Sequence, residues 1–89
     1  MSEIEILRLP AAMSAFGYRS HASIYGNVKD GLLTKPVSIG ARSVGWPRGE
    51  IQAVLEARIA GCTDEQIRAL VDRLHAQRQE RVAAMGVAA

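Results

Sequence analysis

Between Arg8 and Arg48 the chain carries six basic side chains, Arg8, Arg19, Lys29, Lys35, Arg42 and Arg48, against one acid, Asp30. From Ile51 onward five arginines (Arg58, Arg68, Arg73, Arg78, Arg81) are balanced by five acids (Glu56, Asp64, Glu65, Asp72, Glu80). A cationic segment joined to a neutral one has the charge layout of a nucleic-acid footprint on a neutral support, or that of a solvated surface with clustered charge. Other chemistry is sparse. His21 and His75 stand at no metal-ligand spacing from Cys62, and Cys62 has no activating neighbour in the sequence. No acid–base pair, activated nucleophile or phosphate-cradling loop can be assembled, so the sequence predicts a protein that is not an enzyme and uses neither metal nor cofactor.

The elements that position these cations follow from punctuation and periodicity. Ile6–Arg8 is a short extended candidate. Pro10 suits the first turn of a helix, where its missing N–H costs nothing; Leu9, Met13 and Phe16 line one face of that helix and Gly17 ends it. Ser20 caps a second helix with Ser23 one turn on. His21, Ile24, Tyr25, Val28 and Leu32 fall on one side of it, Ala22, Ser23, Gly26, Asn27 and Asp30 on the other, and Gly31 stops it. Lys35–Ile39 and Ser43–Trp46 alternate around Gly40-Ala41-Arg42 and predict a β-hairpin, with Pro36 confining its strand to an edge or a start. Ile51, Val54, Leu55 and Ile59 predict a third helix closed by Gly61. Thr63 and Gln66 form a capping box for a fourth, with Ile67, Leu70, Val71 and Leu74 as its stripe and fraying expected after Arg81.

Two helices joined through Gly17-Tyr18-Arg19 have the spacing of a helix-turn-helix, whose second helix enters a DNA major groove. A hairpin directly after that helix is a wing. The fold class expected is therefore mainly α with a small β-hairpin, a winged helix-turn-helix plus a C-terminal amphipathic helix. The expected DNA contacts are Arg19, Ser20, His21, Ser23, Asn27, Lys29, Lys35 and Arg42. Arg19 and Lys29 suit phosphates, which set register without reading bases. Asn27 suits bidentate pairing with an adenine edge, or a solvated surface amide. Ser20 is a cap before it is a contact, Ser23 suits a phosphate or a base, and His21 suits a local hydrogen bond. Arg42 at the hairpin tip reaches a minor groove or a phosphate. Trp46 reads as a core anchor under the wing, Tyr25 as core with its hydroxyl at the rim. Gly26 inside a helix implies either close approach of another chain or simple tolerance.

These residues also resemble a known family. Leu7-Arg8-Leu9-Pro10, Gly17, Ser23-Ile24-Tyr25, Asp30-Gly31-Leu32, Lys35-Pro36-Val37, Ile39-Gly40 and Arg42-Ser43-Val44-Gly45-Trp46 resemble the AlpA family of prophage regulators, related to excisionases and MerR-type winged helices. The likeness spans roughly Ile6 to Ile59. It implies a winged helix, sequence-specific binding of double-stranded DNA, and a role in transcription control or in site-specific recombination of a mobile element.

Length and composition set the frame. Eighty-nine residues, 48% apolar and 22% charged, suit one folded domain and exclude a disordered chain. The organisation expected is a DNA-binding domain over 1–60, a C-terminal helix over 61–83 and a flexible tail over 84–89. The neutral fourth helix with its apolar stripe suits either a homodimer surface or completion of a thin core. A single module buries only about 600–1,000 Å² on DNA, so two copies on adjacent half-sites are expected. An integrase or RNA polymerase would be a further partner, the first if the protein is an architectural excisionase. The reading from a different class is a helical protein-interaction adaptor. The lone cysteine, the acidic start and the want of a run of about 20 apolar residues point to a cytoplasmic, nucleoid-associated protein without a membrane partner.

Overall fold

The computed structural model describes residues 4–86 of the 89. Seven elements follow in the order β1 (Ile6–Arg8), α1 (Leu9–Phe16), α2 (His21–Lys29), β2 (Val37–Gly40), β3 (Ser43–Pro47), α3 (Arg48–Ile59) and α4 (Asp64–Ala84). The three strands form one antiparallel sheet in the order β1-β3-β2. The hairpin and the preceding strand thus make a three-stranded sheet beside the helices, and the architecture is winged helix-like as expected.

Local chemistry sets the boundaries. Gly17 adopts φ 75°, a left-handed turn open to glycine, and its N–H and that of Tyr18 return to the Ser14 and Met13 carbonyls. Three residues later the extended Ser20 caps α2, its Oγ accepting the Ser23 N–H at 3.3 Å. In the sheet, β3 is central: Arg8 pairs with Gly45 on one side and Val37 with Gly45 on the other. A β-carbon at Gly45 would run into the Ile6 side chain and lie 2.8 Å from the Leu7 carbonyl oxygen, so only glycine lets β1 close on β3. β2 is left as an edge, with Pro36 before it and a register irregularity within it, two features that discourage further strand pairing.

The core is built where these elements meet. Ala12, Ile24, Leu33, Trp46, Ile51, Val54, Ile67, Val71 and Leu74 form one buried cluster. Trp46 is fully buried and its indole N–H donates to the Thr34 carbonyl at 2.7 Å, which joins the sheet to the loop after α2. The α4 stripe enters this same cluster through Ile67, Val71 and Leu74. Polar groups fasten α4 along its length. Arg68 donates to the Asp30 carbonyl at 2.9 Å, His75 Nε2 accepts the Lys35 N–H at 3.0 Å, and Arg78 grips both carboxylate oxygens of Glu50. The capping box of Thr63 and Gln66 forms with both of its hydrogen bonds.

Several expectations need revision. α4 continues to Ala84, three residues past the point where fraying was expected, with Met85 as its cap. Tyr25 is 40% exposed; it tilts against Trp46 from the surface, with ring centroids 6.1 Å apart, and does not enter the core. Ile59, the last residue of α3, is 85% exposed and does not join the buried line of Ile51 and Val54. Ala12, not one of the larger residues of the expected α1 stripe, is the fully buried residue of that helix. Of the tail expected over 84–89, residues 87–89 lie outside the described residues.

Candidate nucleic-acid interface

The turn between α1 and α2 is held by its aromatic residues. Tyr18 stacks on Phe16 with centroids 5.4 Å apart and planes 9° from parallel. The Tyr18 hydroxyl accepts a hydrogen bond from Asn27 Nδ2 at 2.9 Å, and the same nitrogen donates to the Ser23 carbonyl at 2.9 Å. Asn27 is therefore half-buried and ties the middle of α2 to the turn. The adenine pairing expected of it needs an amide hydrogen, and both are occupied within the protein. Sequence patterning placed Asn27 on the outer face; the half-buried Tyr18 hydroxyl supplies the partner that pattern does not reveal.

The other expected contacts on α2 are exposed. Arg19 stands in the turn, and Ser20, His21, Ala22 and Ser23 form the exposed first turn of the helix, with Lys29 at its far end. The Ser20 and Ser23 hydroxyls share a hydrogen bond at 3.1 Å, so each keeps further donor or acceptor capacity toward solvent. Gly26 lies between them and Lys29, and a β-carbon there would meet no protein atom within 4 Å. Internal packing therefore does not require that glycine.

The wing adds a third exposed cation. Arg42 sits at the hairpin tip with φ 69°, alone in this region among the described non-glycine residues. Next to it in the chain, Ser43 accepts a hydrogen bond from Arg8 of β1 at 3.3 Å, an arginine of the basic segment for which the sequence suggests no contact. Tyr25 of α2 tilts against Trp46 of β3, an aromatic contact that links the helix to the sheet. Lys35 leads into the wing; its side chain is exposed, while its backbone is pinned on both sides, N–H to His75 and carbonyl to Arg78 at 2.8 Å.

Not every cation of the basic segment faces outward unopposed. Arg48 pairs with Glu5 at 2.7 Å, and its backbone N–H at the start of α3 donates to the Glu5 carbonyl. That leaves Arg8, Arg19, Lys29, Lys35 and Arg42 without an acid within ion-pair distance among the described residues, Arg8 being held by the Ser43 hydroxyl. His75, set aside in the sequence for want of a metal partner, has a structural task instead. Burial, and then the neighbouring Arg78 charge, hold its imidazole below the ordinary 6.5, with Lys35 adding to the effect and Glu50 and Asp72 opposing it. Neutral Nε2 is the form that can accept the Lys35 N–H. Among the described residues no cluster of His, Cys, Asp and Glu could hold a metal ion, and no helix is long and apolar enough to cross a membrane.

Comparison with known proteins bears on this arrangement. The family model described as "Prophage CP4-57 regulatory protein (AlpA)" matches residues 5–59, which run from the start of β1 to the end of α3. The chain is 33% identical over 61 residues to uncharacterized protein ORF88 of Enterobacteria phage P4, an overlap of 68% of each chain. No solved structure gives a significant match. The matched span contains the whole helix-turn-helix and its wing, and the chain belongs to the AlpA family of prophage regulatory proteins.

Proposed function

We propose that this chain binds double-stranded DNA sequence-specifically and regulates transcription in a prophage or related mobile element. The observation that carries the reading is the pairing of an exposed polar first turn on α2 with an exposed arginine at the tip of the adjoining wing. In this reading the first turn of α2 enters a major groove, where Ser23 and His21 meet base edges and Ser20 remains chiefly a cap. Arg19, Lys29 and Lys35 neutralise phosphates on either side, and Arg42 at the wing tip meets the polyanion at a phosphate or in the adjoining minor groove. Asn27 acts from behind, setting the angle of α2 against the turn. The α4 stripe is consumed in the core, so the association of two copies on adjacent half-sites is assigned to the DNA and not to that stripe. The fold thereby favours a groove reader over an adaptor docking through α4.

The test is selection of duplexes from a random pool, followed by mobility-shift titration across salt. With about four phosphate contacts, the slope of log K against log salt is near −0.9 for each. A fourfold rise in salt then weakens binding on the order of a hundredfold. Enrichment of one motif with that salt response is the expected outcome. No retardation of any duplex at low salt would leave the adaptor reading in its place.

A further inference from the structure

One side chain of the wing is used neither by the core nor by the ionic contacts above. Ile39 is 43% exposed although it is β-branched, apolar and in a strand. The reason is the register. Pairing steps from Ser38 with Val44 directly to Gly40 with Ser43, so Ile39 is the extra residue of a β-bulge. A bulge frees its extra residue from the ladder and re-aims the side chain. Protection of the edge strand explains the bulge in the backbone but not an isoleucine upon it, where a lysine or serine would be soluble. Arg42 lies three residues on, exposed and in a left-handed conformation that glycine or asparagine would adopt with less strain.

We infer that the wing tip is a two-part probe of the DNA minor groove, in which Arg42 supplies charge and Ile39 an apolar wedge against the sugars and one base step. The inference rests on the DNA-binding reading and deepens it. A narrow minor groove concentrates negative potential and draws an arginine into it. Apolar side chains entering beside such a cation partly unstack a base step, most cheaply at a flexible pyrimidine–purine step. Ile39 suits this because a β-branched side chain has little rotamer freedom to lose when it is ordered. A wedge would make the wing selective: duplexes with a TA or CA step beneath it bind better than duplexes with a stiff step there.

The experiment places 2-aminopurine at successive positions of the selected duplex and compares wild type with Ile39→Val and Ile39→Ser. In wild type, fluorescence rises at one step flanking the major-groove motif, and Ile39→Val retains the rise. Ile39→Ser loses it, binds about tenfold more weakly, and no longer distinguishes a TA step from a stiff one. Its melting temperature stays within a degree or so of wild type, because the side chain is exposed. Binding that is intact but indifferent to Ile39→Ser in affinity, fluorescence and step preference overturns the wedge alone. Loss of cooperative binding without change at any base step also overturns it, and assigns Ile39 to contact with a neighbouring copy. Failure of wild type to bind any duplex at low salt overturns the DNA reading itself.

Discussion

Arg78 and Arg42 are the same residue type, and the fold treats them in opposite ways. Arg78 on α4 donates to both oxygens of Glu50, at 2.8 and 2.5 Å, and to the Lys35 carbonyl, with its side chain only 24% exposed. Arg42 makes no ion pair among the described residues and occupies a backbone conformation that is strained for any side chain with a β-carbon. The α4 side is chiefly scaffold: Arg68 and Arg78 are answered by a carbonyl and a carboxylate, its stripe lies in the core, and Arg73 and Arg81 stand exposed on the acid-balanced half of the chain. On the α2 and wing side, the Arg19, Lys29 and Arg42 side chains make no ion pair among the described residues, and Ile39 is exposed. Cations held by the protein's own acids shape the fold, whereas those left open are available to a polyanion. A mutation should therefore change stability on one side and recognition on the other.

The largest break in that division is Trp46→Ala. It removes the residue on which the core, the Thr34 carbonyl and Tyr25 all rest, and it should cost about 3–5 kcal/mol. For a chain this small that leaves much of the population unfolded in a denaturant titration. Glu50→Ala comes next. It strands the partly buried Arg78 guanidinium and should cost about 2–3 kcal/mol, leaving the affinity of the remaining folded protein for DNA unchanged.

A smaller change sharpens the recognition side. Gly26→Ala should stabilise α2 by about 0.5–1 kcal/mol, since the new β-carbon meets nothing within 4 Å. If α2 approaches a DNA backbone closely at this point, the same substitution weakens binding while raising the melting temperature.

The mildest effect expected is that of pH on the scaffold. His75 has a folded-state pKa below its ordinary 6.5, so the unfolded chain takes up the proton more readily. The stabilisation is fully present above 6.5 and is lost as the pH falls from there through the lowered folded-state value, because a proton on Nε2 removes the acceptor of the Lys35 N–H. His75→Leu should be less stable at about pH 7.5 and lose the part of the decline toward about pH 5.5 that wild type shows. A parallel decline in both proteins would mean that other groups carry the acid sensitivity.

Much of this was legible in the sequence wherever one residue type decides the local backbone. Gly17, Ser20, Gly31 and the Thr63–Gln66 box mark helix ends through φ or a capping hydrogen bond, and the structure places them there. What could not be read depends on which groups meet across long stretches of chain. Lys35 and His75 are 40 residues apart, Glu50 and Arg78 28, and no periodicity joins them. Helical rotation was the other blind spot. The buried line of α2 runs through Ile24, which leaves Tyr25 on the rim and turns Asn27 toward Tyr18. The exposed first turn of the helix and the arginine of the wing were foreseen from spacing, but the bulge that turns Ile39 outward needed the strand register.

Arg42→Gly tests the central division most directly, in one protein with two readings. Glycine relieves the left-handed strain, so the melting transition should move upward by the equivalent of about 1 kcal/mol. Binding to every duplex should fall about tenfold, with the salt slope shallower by about 0.9. A variant that melts higher yet binds with the affinity and salt slope of wild type would contradict the assignment of the wing to DNA.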